Sequence, residues 1–231
     1  MKTLVISDLH IGSKGCKTDE ILELLKDESY LRYILVGDII DGWLFQKYKK
    51  FSYQHTKVIR RLLKLSKDKE IIWISGNHDE FLRKYTPIEL GNIKVVDEFI
   101  ENGIWFCHGD KYDGIIKMHW LGMLGSIGYD MALWINRWYN RYRTWRGLPY
   151  HSISQQIKEG VKVATTYVND FEVTAIKMAQ KHNCYGVICG HIHQPADRII
   201  DGAHYLNSGD WVENLTAVLL DNQNKFTIFK L

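Results

Sequence analysis

Seven side chains able to hold a metal ion stand at the ends of short apolar runs. They are Asp8 and His10 in Asp8-Leu9-His10, Asp38 in Gly37-Asp38, Asn77 in Gly76-Asn77-His78-Asp79, His108 in His108-Gly109-Asp110, and His191 and His193 in Gly190-His191-Ile192-His193. An Asp and a His one residue apart, where an extended strand passes into a loop, point to the same side and can share one ion. A carboxylate such as Asp38 has two oxygens and can bridge two ions. Asn77 adds a neutral amide oxygen, and the histidines add imidazole nitrogens. Oxygen and nitrogen donors without thiolate suit Mn²⁺, Fe or Zn²⁺ better than a structural cysteine-type zinc site. Two such cations about 3.5–4 Å apart would clamp a phosphate, acidify a bridging water and stabilise both the attacking and the leaving oxygen.

These residues need a scaffold that gathers them. The runs before them, Thr3–Ser7, Tyr33–Val36, Ile71–Ser75, Ile104–Cys107 and Val187–Cys189, are short, apolar and end abruptly in Gly, Asp or His. They read as buried strands feeding loops. Strands of an α/β sheet share a rim, so groups distant in sequence can meet there. Short helices fit between them at Asp19–Leu25 and His55–Leu65, and Tyr205–Asn207, Thr216–Leu220 and Phe226–Lys230 read as further strands.

At 231 residues the chain makes one domain, 1–231, with a real core. Its net charge of +3 is too small to argue for nucleic acid by itself. The four cysteines form no CxxC pair, and Cys107 and Cys189, inside predicted strands, read as reduced buried thiols. The apolar run after Lys2 ends at Asp8, too early for a secretory signal, and no stretch approaches the ~20 residues of a spanning helix. The expected compartment is the cytoplasm.

Residues 113–182 differ in character and read as a helical cap inserted before the last site loop. Ile127, Met131, Trp134, Trp138, Tyr142 and Trp145 recur at helical spacing, and Gly147-Leu148-Pro149 supplies a stop. Ser152 with Gln155 resembles a capping box for a second helix, whose apolar face would be Ile153, Ile157, Val161, Ala164, Val168, Phe171, Ala175 and Met178.

The ordered set of DxH, GD, GNHD, a later His and GHxH resembles the calcineurin-like metallophosphoesterases across nearly the whole chain outside the cap. The resemblance implies a four-layer α/β/β/α sandwich of two mixed sheets. It implies that Asp8, His10, Asp38 and His193 hold one metal, and that Asp38, Asn77, His108 and His191 hold the other. Mn²⁺ is the first expectation, with Fe or Zn²⁺ as alternatives. His78 would meet the phosphate as general acid or charge stabiliser, with Asn77 beside it. Asp41 and Asp110 are expected behind the site, orienting a metal-bound histidine or water. His55, His119, His151, His182 and His204 belong to no motif.

Ser/Thr protein phosphatases of this family carry an Arg soon after the second Asp of GDxxD; here Gly42-Trp43 follows Asp41. The layout is most similar to the UDP-2,3-diacylglucosamine pyrophosphatases, which release UMP and an acylated sugar phosphate. It shares with them the Gly-Asp…Trp43 segment, His108-Gly109-Asp110, the helical insertion and the chain size. It departs from their best-known members at His78, where they have Arg, and at Asp41, where Glu is common. In the cap, Trp134, Trp138, Arg141 and Arg146 are candidate contacts for an acylated phosphate ligand or a bilayer surface, and Lys162 on the second helix joins them. The alternative is that the aromatic stripe packs on the second helix while the arginines face water. The expectation is a metal-dependent phosphoester or pyrophosphate hydrolase acting on a nucleotide-linked acylated sugar, held peripherally at the inner face of the membrane through the cap. Another phosphodiesterase or nuclease is the alternative, and nucleic acid the less favoured partner.

Overall fold

The computed structural model describes residues 2–112, 146, 154–221 and 225–231, with only the backbone for 154–166. In chain order the described elements are β1 (Thr3–Ile6), α1 (Thr18–Leu24), β2 (Arg32–Val36), α2 (Gly42–Tyr48), α3 (Tyr53–Leu65), β3 (Glu70–Ile74), β4 (Ile88–Leu90), β5 (Ile93–Val96), β6 (Phe99–Glu101), β7 (Ile104–Phe106), α4 (Ser154–Lys181), β8 (Gly186–Cys189), β9 (Ala196–Ile200), β10 (Ala203–Asn207), β11 (Thr216–Leu220) and β12 (Phe226–Lys230). Short 3₁₀ turns occupy Glu80–Tyr85 and Asp110–Tyr112. Contacts divide the chain into two units, 1–112 with 173–231, and 113–172.

The first unit holds two mixed sheets, as expected of an α/β fold. One runs β12-β11-β1-β2-β3-β5-β4 and the other β6-β7-β8-β10-β9. The central strands are parallel: β1 with β2, β2 with β3, β3 with β5, and in the second sheet β7 with β8 and β8 with β10. Their sequences explain this. β1, β2 and β8 are buried at every position, as befits strands covered on both faces.

Between the sheets, Val5, Ile34, Val36, Ile72 and Ile74 meet Ile104, Phe106, Ile188 and Leu206. The alternate residues Leu4, Ile6, Tyr33, Leu35 and Ile71 face outward onto Ile21, Leu24 and Leu25 of the α1 region and Val58, Leu62 and Leu65 of α3. Trp105, Val187 and Tyr205, of opposite parity to the inter-sheet residues, are also fully buried, and His182 stacks on Trp105 at 4.9 Å. Cys107 and Cys189 are buried thiols that form no disulfide, as the strand pattern implied, and burial pushes the Cys107 thiol well up.

The expected strands fall within a residue or two of those observed. The helix read at His55 begins at Tyr53, because Ser52 caps it by accepting from His55 N at 3.2 Å. The sequence reading assigned no element to α2, β4, β5, β6 or β9. α2 is seven residues whose one buried residue is Gly42, so it has no apolar stripe to reveal it; β9 buries only Ala196 fully. In the second predicted cap helix, the described face within the first unit is Ala175, Ile176 and Ala179, while Met178 is only half-buried. The first predicted cap helix and Ser152 lie outside the described residues.

Candidate metal centre

Register brings the site loops to one rim. Ile6 pairs with Leu35, Val36 with Ile74, and Phe106 with Ile188, so the loops bearing Asp8, Asp38 and Asn77 leave one sheet in step, and those bearing His108 and His191 leave the other in step. Backbone bonds knit the first two loops: Asp8 N donates to Gly37 O at 3.0 Å, His10 N to Asp38 O at 2.9 Å, and Asp41 N to Ile11 O at 2.9 Å.

Five of the seven candidate ligands sit in the left-handed region: Asp8 (φ 53°), His10 (47°), Asp38 (53°), His191 (69°) and His193 (56°). Each such residue costs roughly 1–3 kcal/mol and persists only where its surroundings enforce it, typically at functional sites. The motif glycines permit the crowding. A Cβ on Gly76 would collide with the Asp38 carboxylate and amide, and one on Gly190 with Asp8 and Ser7.

Two donor clusters result. In the first, Asp8 Oδ1 lies 3.2 Å from His193 Nε2 and 3.8 Å from His10 Nε2, and those two nitrogens are 3.3 Å apart. Asp8 Oδ2 accepts from His191 N at 3.1 Å, but Oδ1 is buried with no aligned hydrogen-bond donor. A buried carboxylate oxygen without a donor beside two converging imidazole nitrogens fits a cation. In the second cluster, Asp38 Oδ2 lies 3.3 Å from His108 Nε2, which is 3.2 Å from Asn77 Oδ1. Asp38 Oδ2 is also 3.9 Å from His10 Nε2 and 3.9 Å from His78 Nε2, so it stands between imidazoles of three loops. Asp38 Oδ1 accepts from His78 N at 2.8 Å. The ring of His191 lies 5.1 Å from that of His108. Asp8, His10 and His193 make one group able to hold an ion, Asp8, Asp38 and His108 another, and His10, Asp41 and His78 a third at the edge of the two.

The electrostatics show how strongly the clusters favour positive charge. Burial alone would raise both carboxylates; His193 holds Asp8, and His108 holds Asp38, below the usual carboxylate range instead. Burial likewise opposes charge on the histidines, yet Asp38 raises His108 to about 10 and Asp8 raises His193 to about 9. Protons thus balance the carboxylates where cations would.

His78 stands at the edge of both clusters. Its Nδ1 is 3.3 Å from Asp41 Oδ1, its ring makes an edge contact with His10 at 4.6 Å, and Trp43 covers it at 3.9 Å. Burial opposes its charge, but Asp41 and Asp38 raise its pKa overall.

The two acidic residues expected behind the site differ in what they meet. Asp41 caps α2 through Leu44 N at 2.9 Å and faces His78, which is outside the expected ligand set. Asp110, expected behind a site histidine or water, forks onto Arg83 at 2.7 and 2.8 Å, where the 3₁₀ turn at Glu80–Tyr85 brings the guanidinium to it, and it also interacts electrostatically with His108 and His191. Arg83 Nη2 also donates to Ser75 O at 3.0 Å, tying the end of β3 to the His108 loop.

Two supports escaped the sequence reading. Asp79, fully buried and raised to about 6 by burial and by Asp38, accepts from Ile39 N at 3.0 Å, Trp73 Nε1 at 3.1 Å and Gly76 N. Asp210, fully buried, accepts from Val212 N at 2.7 Å and Glu213 N at 2.6 Å, and its Oδ2 lies 3.9 Å from His193 Nδ1. Asn214 Nδ2 donates to His193 O at 2.7 Å. The signal for Asp210 was there: Ser208-Gly209-Asp210 follows an apolar run as the other site loops do. Of the cap candidates, Trp134, Trp138 and Arg141 lie outside the described residues, Arg146 lies exposed in a turn, and Lys162 lies in α4 where only backbone is described.

The calcineurin-like phosphoesterase family model matches residues 1–195. No curated protein matches the chain. Among solved structures it is similar to a novel archaeal phosphodiesterase, 16% identical with 100% of both chains covered and a TM-score of 0.46. It is similar to Yfce, a phosphoesterase from E. coli, 14% identical over 99% of this chain and 98% of that one, TM-score 0.47. It is also similar to Vps29 of Entamoeba histolytica complexed with Zn²⁺, 14% identical over 99% and 90%, TM-score 0.46. At such identities and scores these likenesses carry nothing about what the chain acts on.

Proposed function

Because this chain belongs to the calcineurin-like phosphoesterase family, and is therefore a metal-dependent phosphoester hydrolase, we propose that its two donor clusters are the two metal positions of that hydrolase. Asp8, His10, Asp38 and His193 would hold one cation; Asp38, Asn77, His108 and His191 would hold the other. The observation that carries this reading is Asp38 Oδ2, set between His108, His10 and His78. When bound, two divalent cations polarise the phosphate, acidify a water and offset charge on the attacking and leaving oxygens. Mn²⁺ is the first choice for such oxygen and nitrogen donors, with Fe or Zn²⁺ next.

The chain's own groups do the rest. His108 Nδ1, 3.0 Å from Val36 O, donates to that carbonyl and so aims Nε2 at the centre. His78 holds a proton at Nε2, with Asp41 at its other nitrogen, and gives that proton to the leaving oxygen. Trp43 shields the outer face of His78 from water.

The substrate reading we favour is a UDP-2,3-diacylglucosamine-type pyrophosphate, cleaved to UMP and an acylated sugar 1-phosphate at the inner membrane surface. It is supported by the Gly-Asp…Trp43 segment, His108-Gly109-Asp110 and the insertion at 113–182. No described helix is long and apolar enough to cross a membrane, so a bilayer substrate would be met from its surface. His78, where the best-known enzymes of that kind have Arg, favours a second reading: a phosphodiesterase or nuclease with another substrate.

A screen of the Mn²⁺-loaded protein decides between them. We expect release of UMP from UDP-2,3-diacylglucosamine in detergent micelles, faster than cleavage of bis(4-nitrophenyl) phosphate or single-stranded DNA. Turnover of the last two with none of the first would remove the acylated substrate.

A further inference from the structure

Residues 42–67 contain eight Lys or Arg and no Asp or Glu, so with the whole chain at +3 the remainder carries a net −5. The positive charge is therefore concentrated on α2, α3 and the turn between them. On α3 the buried face is Val58, Leu62 and Leu65. Lys57, Arg60 and Lys64, at helical spacing on the other side, continue to Lys67; Arg60, Lys64 and Lys67 are exposed. Arg61 is engaged with Leu25 O at 2.7 Å, but Lys47, Lys49 and Lys50 at the end of α2 are exposed.

Large apolar side chains are exposed on the same two helices. α2 buries only Gly42, leaving Trp43 47%, Phe45 42% and Tyr48 59% exposed, and Tyr53 opens α3 at 69%. A short helix gains little from burial of its own and has no reason of stability to carry three large aromatics into water.

We propose that the α2–α3 face docks the protein on an anionic lipid bilayer. Aromatic side chains ringed by lysines suit the headgroup region, where the rings lose water and the ammonium groups meet phosphate. A single-stranded nucleic acid would also answer the charge, but it needs open ring faces for its bases. Here Phe45 and Phe51 stack on each other at 4.8 Å and 13°, and Lys47 and Lys57 lie over Tyr48 and Tyr53 at 5.3 and 5.0 Å. Each of these contacts covers one face of its ring, which leaves less room for stacked bases, while the ring edges and hydrocarbon remain for an interface. The surface adjoins the candidate metal centre, since Asp41 caps α2 and Trp43 covers His78. Docking there would present the centre to a bilayer-borne substrate, and in that sense it rests on the acylated-substrate reading above.

The test is flotation of the Mn²⁺-loaded full chain with phosphatidylcholine vesicles, with and without phosphatidylglycerol, at low and physiological salt. We expect binding to the phosphatidylglycerol vesicles that weakens with salt. At about fivefold per lysine lost, Lys47→Glu with Lys50→Glu should lower partitioning by at least about 25-fold. Phe45→Ser with Tyr48→Ser should lower it at both salt levels, and both double variants should keep wild-type kcat on bis(4-nitrophenyl) phosphate. Equal binding to neutral and anionic vesicles, undiminished binding by Lys47→Glu/Lys50→Glu, or release from vesicles by a single-stranded oligonucleotide bound more tightly would each overturn the proposal. Hydrolysis of UDP-2,3-diacylglucosamine in micelles separates the two readings. Vesicle binding without that turnover leaves the docking face and removes the substrate, whereas turnover without vesicle binding removes the docking face alone.

Discussion

His108 Nε2 lies 3.3 Å from Asp38 Oδ2, while Nδ1 of the same ring lies 3.0 Å from the carbonyl oxygen of Val36. The carbonyl takes the Nδ1 proton, so whatever sits between Nε2 and Asp38 must be positive. Without metal it is a proton, which is why His108 rises to about 10 and, by the same logic beside Asp8, His193 rises to about 9. Metal must displace both.

The first prediction is therefore that metal binding releases protons and tightens as pH rises from about 6.5 toward 9–10. The stability of the cation-free protein runs the other way. Raised histidines stabilise fully below their ordinary value and lose that contribution as pH rises through about 9 and about 10. Asp8 and Asp38, depressed, stabilise above the ordinary carboxylate value and lose that contribution as pH falls through their lowered values. Calorimetric Mn²⁺ titrations in buffers of different ionisation enthalpy measure the protons; zero release at pH 7 would contradict the picture.

Asp38→Asn should cost the protein both metals, because one carboxylate faces both clusters. His193→Ala should cost mainly the metal beside Asp8. Elemental analysis after dialysis against trace Mn²⁺ reads this directly, and two full equivalents in Asp38→Asn would refute the bridging role.

His78→Ala should retain metal and lower kcat by about 10²–10⁴-fold for substrates with poor leaving groups, with a smaller loss for 4-nitrophenolate esters. Asp41→Asn should follow it more weakly, since Asp41 acts through His78 Nδ1. An equal loss across leaving groups would reduce His78 to positioning the phosphate.

Asp79→Ala should destabilise the fold as well as the site. It strands the N–H groups of Ile39, Gly76 and Trp73 in a buried place, at roughly 1–3 kcal/mol each. A total near 3 kcal/mol lowers Tm by about 6–12 °C in a chain of this size. A calorimetric Tm within a degree of wild type would show that water replaces the carboxylate.

What the sequence by itself determined is where strands end and which side chains stand there. Thr3–Ile6, Arg32–Val36 and Gly186–Cys189 are buried at every position, and beyond Thr3 and the ion-paired Arg32 that burial on both faces writes itself as an apolar run. The abrupt change to Asp8, Asp38 or Gly190-His191 is equally local, so the site loops were legible. Local pattern carries no record of which distant atoms meet. His193 reaches Asp8 across 185 positions because β11 pairs with β1 and β10 with β8, and only that register brings Asp210 and Asn214 beside the same histidine. The fork of Asp110 on Arg83, the placement of Asp38 Oδ2 among three imidazoles, and the exposure of Trp43, Phe45 and Tyr48 on a helix that buries only Gly42 were likewise decided by tertiary structure. Strand periodicity reports the burial of a residue's own neighbourhood, whereas a site is a set of distances between neighbourhoods, and those are set by packing two sheets through one shared core.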